Sequence, residues 1–263
     1  MASSLSSQFI TLDPGYPRIV FGEGGGNTCT LQYSIDFLSN NWSLTVALCI
    51  LLIFIILFIG KKISNDKKEL YAKLLSVSMI ILFVANHILL MILGKWELSK
   101  ELPVHLCSIS GLICCFIMFI PKNKRQFLFE FLFYCGIIGG AQAIFTPLID
   151  DYGGYSYFYF QFFFKHAMII AFPIYLRNNL GMKLSKFSWL KTYFVLNVLM
   201  LILIQINNLL GSNYMYVNQP PAVENPMVIG EWPIYLYWWE LFVLILILLV
   251  YILGKSKKIG KAI

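Results

Sequence analysis

WSLTVALCILLIFIILFIG, residues Trp42–Gly60, decides the fold. Nineteen positions pass without an acidic or basic side chain, and the apolar residues run on continuously instead of alternating. About 20 such residues cross the hydrocarbon core of a bilayer as a helix. A helix satisfies its own backbone hydrogen bonds in lipid, whereas a membrane-barrel strand would alternate apolar and polar positions. Outward from this run the pattern repeats over roughly 71–93, 104–120, 127–149, 157–176, 190–211 and 234–254. The whole chain of 263 residues is 59% hydrophobic and 13% charged, more apolar surface than a soluble core can hide. The expected fold class is therefore all-α: a polytopic membrane protein whose seven-transmembrane-helix bundle occupies residues 42–254. An extracytoplasmic segment, 1–41, precedes it, and a basic cytoplasmic tail, 255–263, follows. The first segment lacks the basic-then-apolar order of a signal peptide, and is expected to fold over the outer face or stay mobile.

The connections between spans carry the orientation. Lys61, Lys62, Lys67, Lys68 and Lys73 follow the first span; Lys122, Lys124 and Arg125 follow the third. Arg177, Lys183, Lys186 and Lys191 follow the fifth, and Lys255, Lys257, Lys258 and Lys261 close the chain. That makes 16 basic residues on one side, against Arg18, Lys95 and Lys100 on the other, with Lys165 inside a span. The positive-inside rule then puts the N-terminus outside and the C-terminus inside, in a multi-pass protein of the cell membrane. The net charge of +7 resides in these loops and does not point to a nucleic-acid partner. Cys49, Cys107, Cys114, Cys115 and Cys135 fall in apolar runs, Cys29 has no evident partner, and no CxxC pair occurs, so no disulfide framework is expected. Asp150, Asp151, Gly153 and Gly154 read as an outer turn before the aromatic run Tyr155–Phe164. Pro220, Pro221, Pro226 and Pro233 forbid a continuous helix across the loop 212–233.

Ionisable side chains within a bilayer cost roughly 2.5–3.5 kcal/mol each and mark functional sites by default. At a rise of about 1.5 Å per residue, the outer half collects them. His105 stands at the mouth of the third span and Cys107 about 5 Å in; His87 and Glu240 lie about 9 Å down, and His166 about 14 Å. Gln142 and Asn208 share that half. A thiolate attacks a carbonyl far better than a thiol does, and an imidazole can take its proton. Cys107 is the preferred nucleophile because it has polar neighbours at this depth. His105 lies about 200° around the helix from it, so the base is expected from another span, His166 first and His87 second. The bland reading competes throughout: buried polar groups that only join helices. Gly136 and Gly140 form a GxxxG suited to close helix packing, and Thr146-Pro147 suggests a kink or an opened backbone close to the site. Histidines with Glu240 contain metal-ligand types, but no HExxH-like spacing occurs and no metal or cofactor is expected.

Five motifs, in order, carry a resemblance: LPVHLC (Leu102–Cys107), YCGIIGGAQAIFTP (Tyr134–Pro147), FFFKHAMIIAFPIYL (Phe162–Leu176), NNLLGSNYMY (Asn207–Tyr216) and WPIYLYWWE (Trp232–Glu240). Together they resemble the YwaF-like integral membrane proteins of bacteria, related to the eukaryotic transmembrane protein 164 family, over about residues 40–254. The resemblance implies a seven-helix bundle and, for the eukaryotic branch, acyl transfer on membrane lipids by a cysteine and a histidine. Those roles fall on Cys107 and His166, the pair the residues alone favour. A more distant similarity to androgen-induced lipid hydrolases, which use a threonine and a histidine, raises hydrolysis as a variant.

The expected function is a membrane-embedded acyltransferase or lipid hydrolase acting on acyl esters of a phospholipid or lysophospholipid near the outer leaflet. His105, Gln142 and Asn208 would bind the head group or stabilise the oxyanion, and Glu240 would orient an imidazole or balance Lys165. The rival is a non-enzymatic carrier or sensor with an outward-facing pocket for a small ligand or lipid.

Overall fold

The computed structural model describes residues 18–23, 29–150, 156–221 and 228–255, with those before residue 35 as backbone alone. The turn residues Asp151, Gly153 and Gly154, along with Tyr155, Pro226, Lys257, Lys258 and Lys261, lie outside the described residues.

Long apolar runs become long helices. They are α1 (Asn40–Lys62), α2 (Lys68–Ile92), α5 (Arg125–Phe145), α6 (Ser156–Leu180), α7 (Ser188–Leu210) and α8 (Ile234–Gly254), with two short helices, α3 (Leu98–Glu101) and α4 (Leu106–Phe116), between the second and third long ones. Among the described residues six helices are long and apolar enough to cross a membrane. Within the expected third span, 104–120, the helix is α4, whose 11 residues rise only about 16 Å of a core about 30 Å thick. Pro103 precedes it, His105 caps it in an extended conformation, and Pro121 follows a turn, so helix cannot extend in either direction. At Thr146-Pro147 the structure shows an end, not a kink. The residue before proline is pushed out of the helical region, and Thr146 stands at φ −127, ψ 68.

Among the described residues strand forms one three-stranded sheet, most of it in the N-terminal segment. Strands β1 (Arg18–Glu23) and β2 (Cys29–Ser34) pair antiparallel, Arg18 opposite Ser34 and Glu23 opposite Cys29. The strand after α5, β3 (Leu148–Asp150), adds to β2 with Gln32 opposite Asp150. The sheet thereby ties the N-terminal segment to the connection between α5 and α6. Nearby, the Trp42 indole donates to the Phe145 carbonyl at 2.8 Å, fixing the start of α1 to the end of α5.

The centre of the bundle is the seam between α5 and α6. Pro173 within α6 has no N–H, so the carbonyl of Ile169 loses its usual helical donor. Gly136 of α5 sits against that oxygen; a Cβ there would collide with it, and one on Gly140 would meet the His166 carbonyl oxygen at 2.9 Å and Ile170 Cγ1 at 2.7 Å. The GxxxG thus brings two backbones together, as its spacing predicts. The neighbouring Gly139 faces the other way, where a Cβ would stand 3.7 Å from Leu106 and 4.0 Å from the Cys107 nitrogen of α4. On its next side α4 is held by α2, whose Ser76 hydroxyl donates to the Cys114 carbonyl at 2.7 Å.

The basic connections gather at one end of this bundle. Lys122 pairs with Glu69 at 2.9 Å, and the fully buried Glu130 accepts from Gln126 at 2.8 Å, from the Ser185 amide at 2.9 Å and from Lys191 at 3.4 Å. The Tyr251 hydroxyl reaches the Lys186 carbonyl at 3.2 Å. Every histidine lies toward the opposite end.

Candidate functional site

A clamp built from two of the sequence motifs closes that opposite end. Gly211 ends α7 in the left-handed conformation, φ 62, which turns the chain back over the helix end. Asn207, almost fully buried, then organises the returning segment. Its Oδ1 accepts from the Tyr214 amide at 2.8 Å and the Ser212 hydroxyl at 2.9 Å, while its Nδ2 donates to the Tyr214 carbonyl at 3.1 Å and to Asn218 Oδ1 at 2.9 Å. Tyr214 carries the clamp across to α3: its hydroxyl donates to the Leu98 carbonyl at 2.6 Å and accepts from the Leu102 amide at 3.0 Å. Burial pushes that phenol above its ordinary range, so it stays a donor.

The three histidines divide by what their ring nitrogens meet. The Trp96 indole donates to His87 Nδ1 at 3.0 Å, and the Met215 amide donates to His105 Nδ1 at 3.3 Å. Both rings therefore use the Nδ1 lone pair to receive a structural hydrogen bond. His105 also packs its ring on Tyr214 and Tyr216, at centroid distances of 5.3 and 5.9 Å. His166 is the reverse. Its Nδ1 lies 2.6 Å from the Phe162 carbonyl, which can only accept, so the proton sits on Nδ1 and the lone pair on Nε2.

Cys107 occupies the first turn of α4, and its side chain packs against the central core cluster. It is partly exposed, whereas the other described cysteines, Cys49, Cys114, Cys115 and Cys135, are buried. One turn further on, the Ser110 hydroxyl is fully buried and has no hydrogen-bond partner. Gly111 completes that face: a Cβ there would touch Met79 Cε of α2 at 3.8 Å and Lys165 Cδ of α6 at 3.9 Å. Lys165 is thus laid along the junction of α2, α4 and α6.

The remaining expected site residues disperse. Gln142 is exposed, and its backbone carbonyl receives the Thr146 hydroxyl at 2.8 Å. Asn208 accepts from Asn218 at 2.8 Å, at the rim of the clamp. Glu240 accepts from Asn197 of α7 at 2.9 Å, and so joins α8 to α7 instead of meeting a histidine or Lys165. The structure therefore sets the Cys107 backbone near Gly139 and the His166 carbonyl against Gly140, collects His105 with the clamp, and ties Gln142 and Glu240 to other partners. No hydrogen bond joins Cys107 to His166 among the described residues. No group of three or more metal-ligating side chains occurs among them either. Asn207, Tyr214 and Ser110 carry more of the arrangement than sequence reasoning assigned them. The signal for Asn207 was its place four residues before a helix-ending glycine.

Six apolar membrane-length helices with a polar cluster toward one end define a multi-pass integral membrane protein. Within that class the chain belongs to the TMEM164 family, whose model matches residues 37–251. No curated protein and no solved structure matches it.

Proposed function

We propose that the chain is a membrane-embedded acyltransferase or lipid hydrolase that works on phospholipid acyl esters through Cys107 and His166. The observation that carries this reading is the tautomer of His166: alone of the three histidines, it holds its Nδ1 proton against a carbonyl and keeps the lone pair on Nε2. The partial exposure of Cys107, unlike its buried counterparts, supports the choice of nucleophile. In the first half-reaction the Cys107 proton passes to His166 Nε2 and the sulfur adds to the ester carbonyl. The carbon–oxygen bond of the ester then breaks, and the imidazolium returns its proton to the departing lysolipid hydroxyl. In the second, an acceptor hydroxyl or water gives its proton to His166 and attacks the thioester carbonyl; the carbon–sulfur bond breaks, and the imidazolium returns the proton to the Cys107 sulfur.

The topology of this reading has seven crossings, α4 and its flanking turns supplying the third. The basic end, with sixteen of the twenty Lys and Arg, faces the cytoplasm, and the histidine end faces outward in the cell membrane. Purified full-length chain in lipid–detergent micelles, supplied with a fluorescent phospholipid, tests the chemistry. Cys107→Ser or His166→Ala is expected to lower turnover by about 1,000-fold with the unfolding midpoint unchanged. Full activity in both variants would overturn the mechanism. Saturable uptake into proteoliposomes without acyl turnover would assign a carrier instead.

A further inference from the structure

Among the described residues Lys165 has no counter-ion. No carboxylate among them lies within ion-pair distance of its ammonium: Glu240 is taken by Asn197, Glu97 by Lys100, and Glu69 and Glu130 serve the basic end. It lies nine residues into α6, about 13 Å below the helix start, and a helical side chain leans back toward the N-terminus, here the histidine end. Its stem lies against Gly111, and the residue is half-buried. One residue from Gly111, the buried Ser110 hydroxyl is also without a partner. A positive charge at membrane depth with an orphaned hydroxyl beside its stem is an incomplete site, because an unpaired ion in low dielectric is costly unless an anion joins it.

We propose that Lys165, with Ser110 and His105 around it, binds the phosphate group of a membrane lipid. The ligand is amphiphilic because the site lies well below the start of a membrane-length helix. His105 is placed to help: its Nδ1 accepts from the Met215 amide, so the proton sits on Nε2, a second donor for phosphate oxygens. The inference rests on a phospholipid being the ligand, but not on cysteine chemistry.

The test is retention of lipid, read by native mass spectrometry of the full chain during delipidation, with phosphatidylglycerol, a diacylglycerol of the same acyl chains and inorganic phosphate as probes. Wild type is expected to hold phosphatidylglycerol at least tenfold more tightly than the diacylglycerol. Lys165→Gln and Lys165→Met should lose that tenfold while their unfolding midpoints stay at or above wild type, since each removes an unpaired charge. Lys165→Arg should restore it, and Lys100→Gln should leave it unchanged. Equal retention of the two lipids, or wild-type retention in both uncharged Lys165 variants, overturns the proposal. Inorganic phosphate displacing the lipid at equal concentration overturns the lipid assignment and leaves a site for free phosphate. Cys107→Ser is expected to retain phosphatidylglycerol, so failure of the acyl-transfer reading and failure of this site are told apart.

Discussion

The α5–α6 seam and the α7–α8 pair are neighbours in one bundle, yet they are built on different terms. In α5 and α6 some 56% of the membrane-length window is buried inside the protein; in α7 and α8 the share is 11%. The first pair is joined by backbones meeting over glycines, with an orphaned carbonyl at the contact. The second meets chiefly lipid, and a side-chain hydrogen bond, Asn197 to Glu240, ties its helices. Lipid tails are as apolar as leucine, so helices in a membrane gain little from hiding apolar surface and depend on close packing and polar contacts. The chemistry-bearing residues follow the packed pair: His166 and Lys165 are on α6, and Cys107 is on the helix that Gly139 of α5 receives. Where geometry is fixed by backbone contact, side chains can be held at the precision that catalysis demands.

The strongest way to break this comparison is to put bulk into the seam. Gly136→Val drives a branched side chain into the Ile169 carbonyl and is expected to cost about 3 kcal/mol or to prevent folding, read as loss of the cooperative transition in detergent. Leu249→Val, on the exposed side of α8, should move stability by less than about 0.5 kcal/mol. Equal effects would mean that the two pairs are not differently built. Next in size is the clamp. Asn207→Ala strips the buried Tyr214 amide of its acceptor and should cost about 2 kcal/mol locally, or roughly 30-fold faster hydrogen exchange at that amide. Asn208→Ala, at the rim, should leave exchange there nearly unchanged.

How much of this was legible in the sequence also divides along physical lines. Continuous hydrophobicity reports membrane helices directly, because the bilayer demands length and apolarity without regard to partners; hence six of the expected spans became long helices. GxxxG was legible because only small residues admit a backbone at that distance. The helix of the third span is shorter than its hydropathy suggests: Leu102 to Ile120 is apolar enough for a span, but prolines at 103 and 121 bound the stretch where helix can exist, and hydropathy does not weigh them. The β1–β2 hairpin escaped because its third strand comes from beyond α5, a pairing that no local pattern announces. The histidines were found by type and depth alone. Their roles were not, since a tautomer depends on the partner of Nδ1, and those partners are a distant indole, a loop amide and a carbonyl one helical turn away.

The smallest effect falls on the loosely packed pair and sharpens the comparison most. Asn197 donates to Glu240 at 2.9 Å and to the Tyr193 carbonyl at 3.0 Å, so one amide ties α8 to a turn of α7. Asn197→Leu leaves the half-buried Glu240 without that donor and is expected to cost about 1 kcal/mol, read as a lowered unfolding midpoint. Adding Glu240→Gln to the same chain removes the charge that lost its partner and should recover most of the loss. If Asn197→Leu instead costs as much as Gly136→Val, the α7–α8 pair is anchored by its polar contact as firmly as α5–α6 is by its glycines. If the double variant recovers nothing, the loss came from packing around Asn197 and not from the stranded carboxylate.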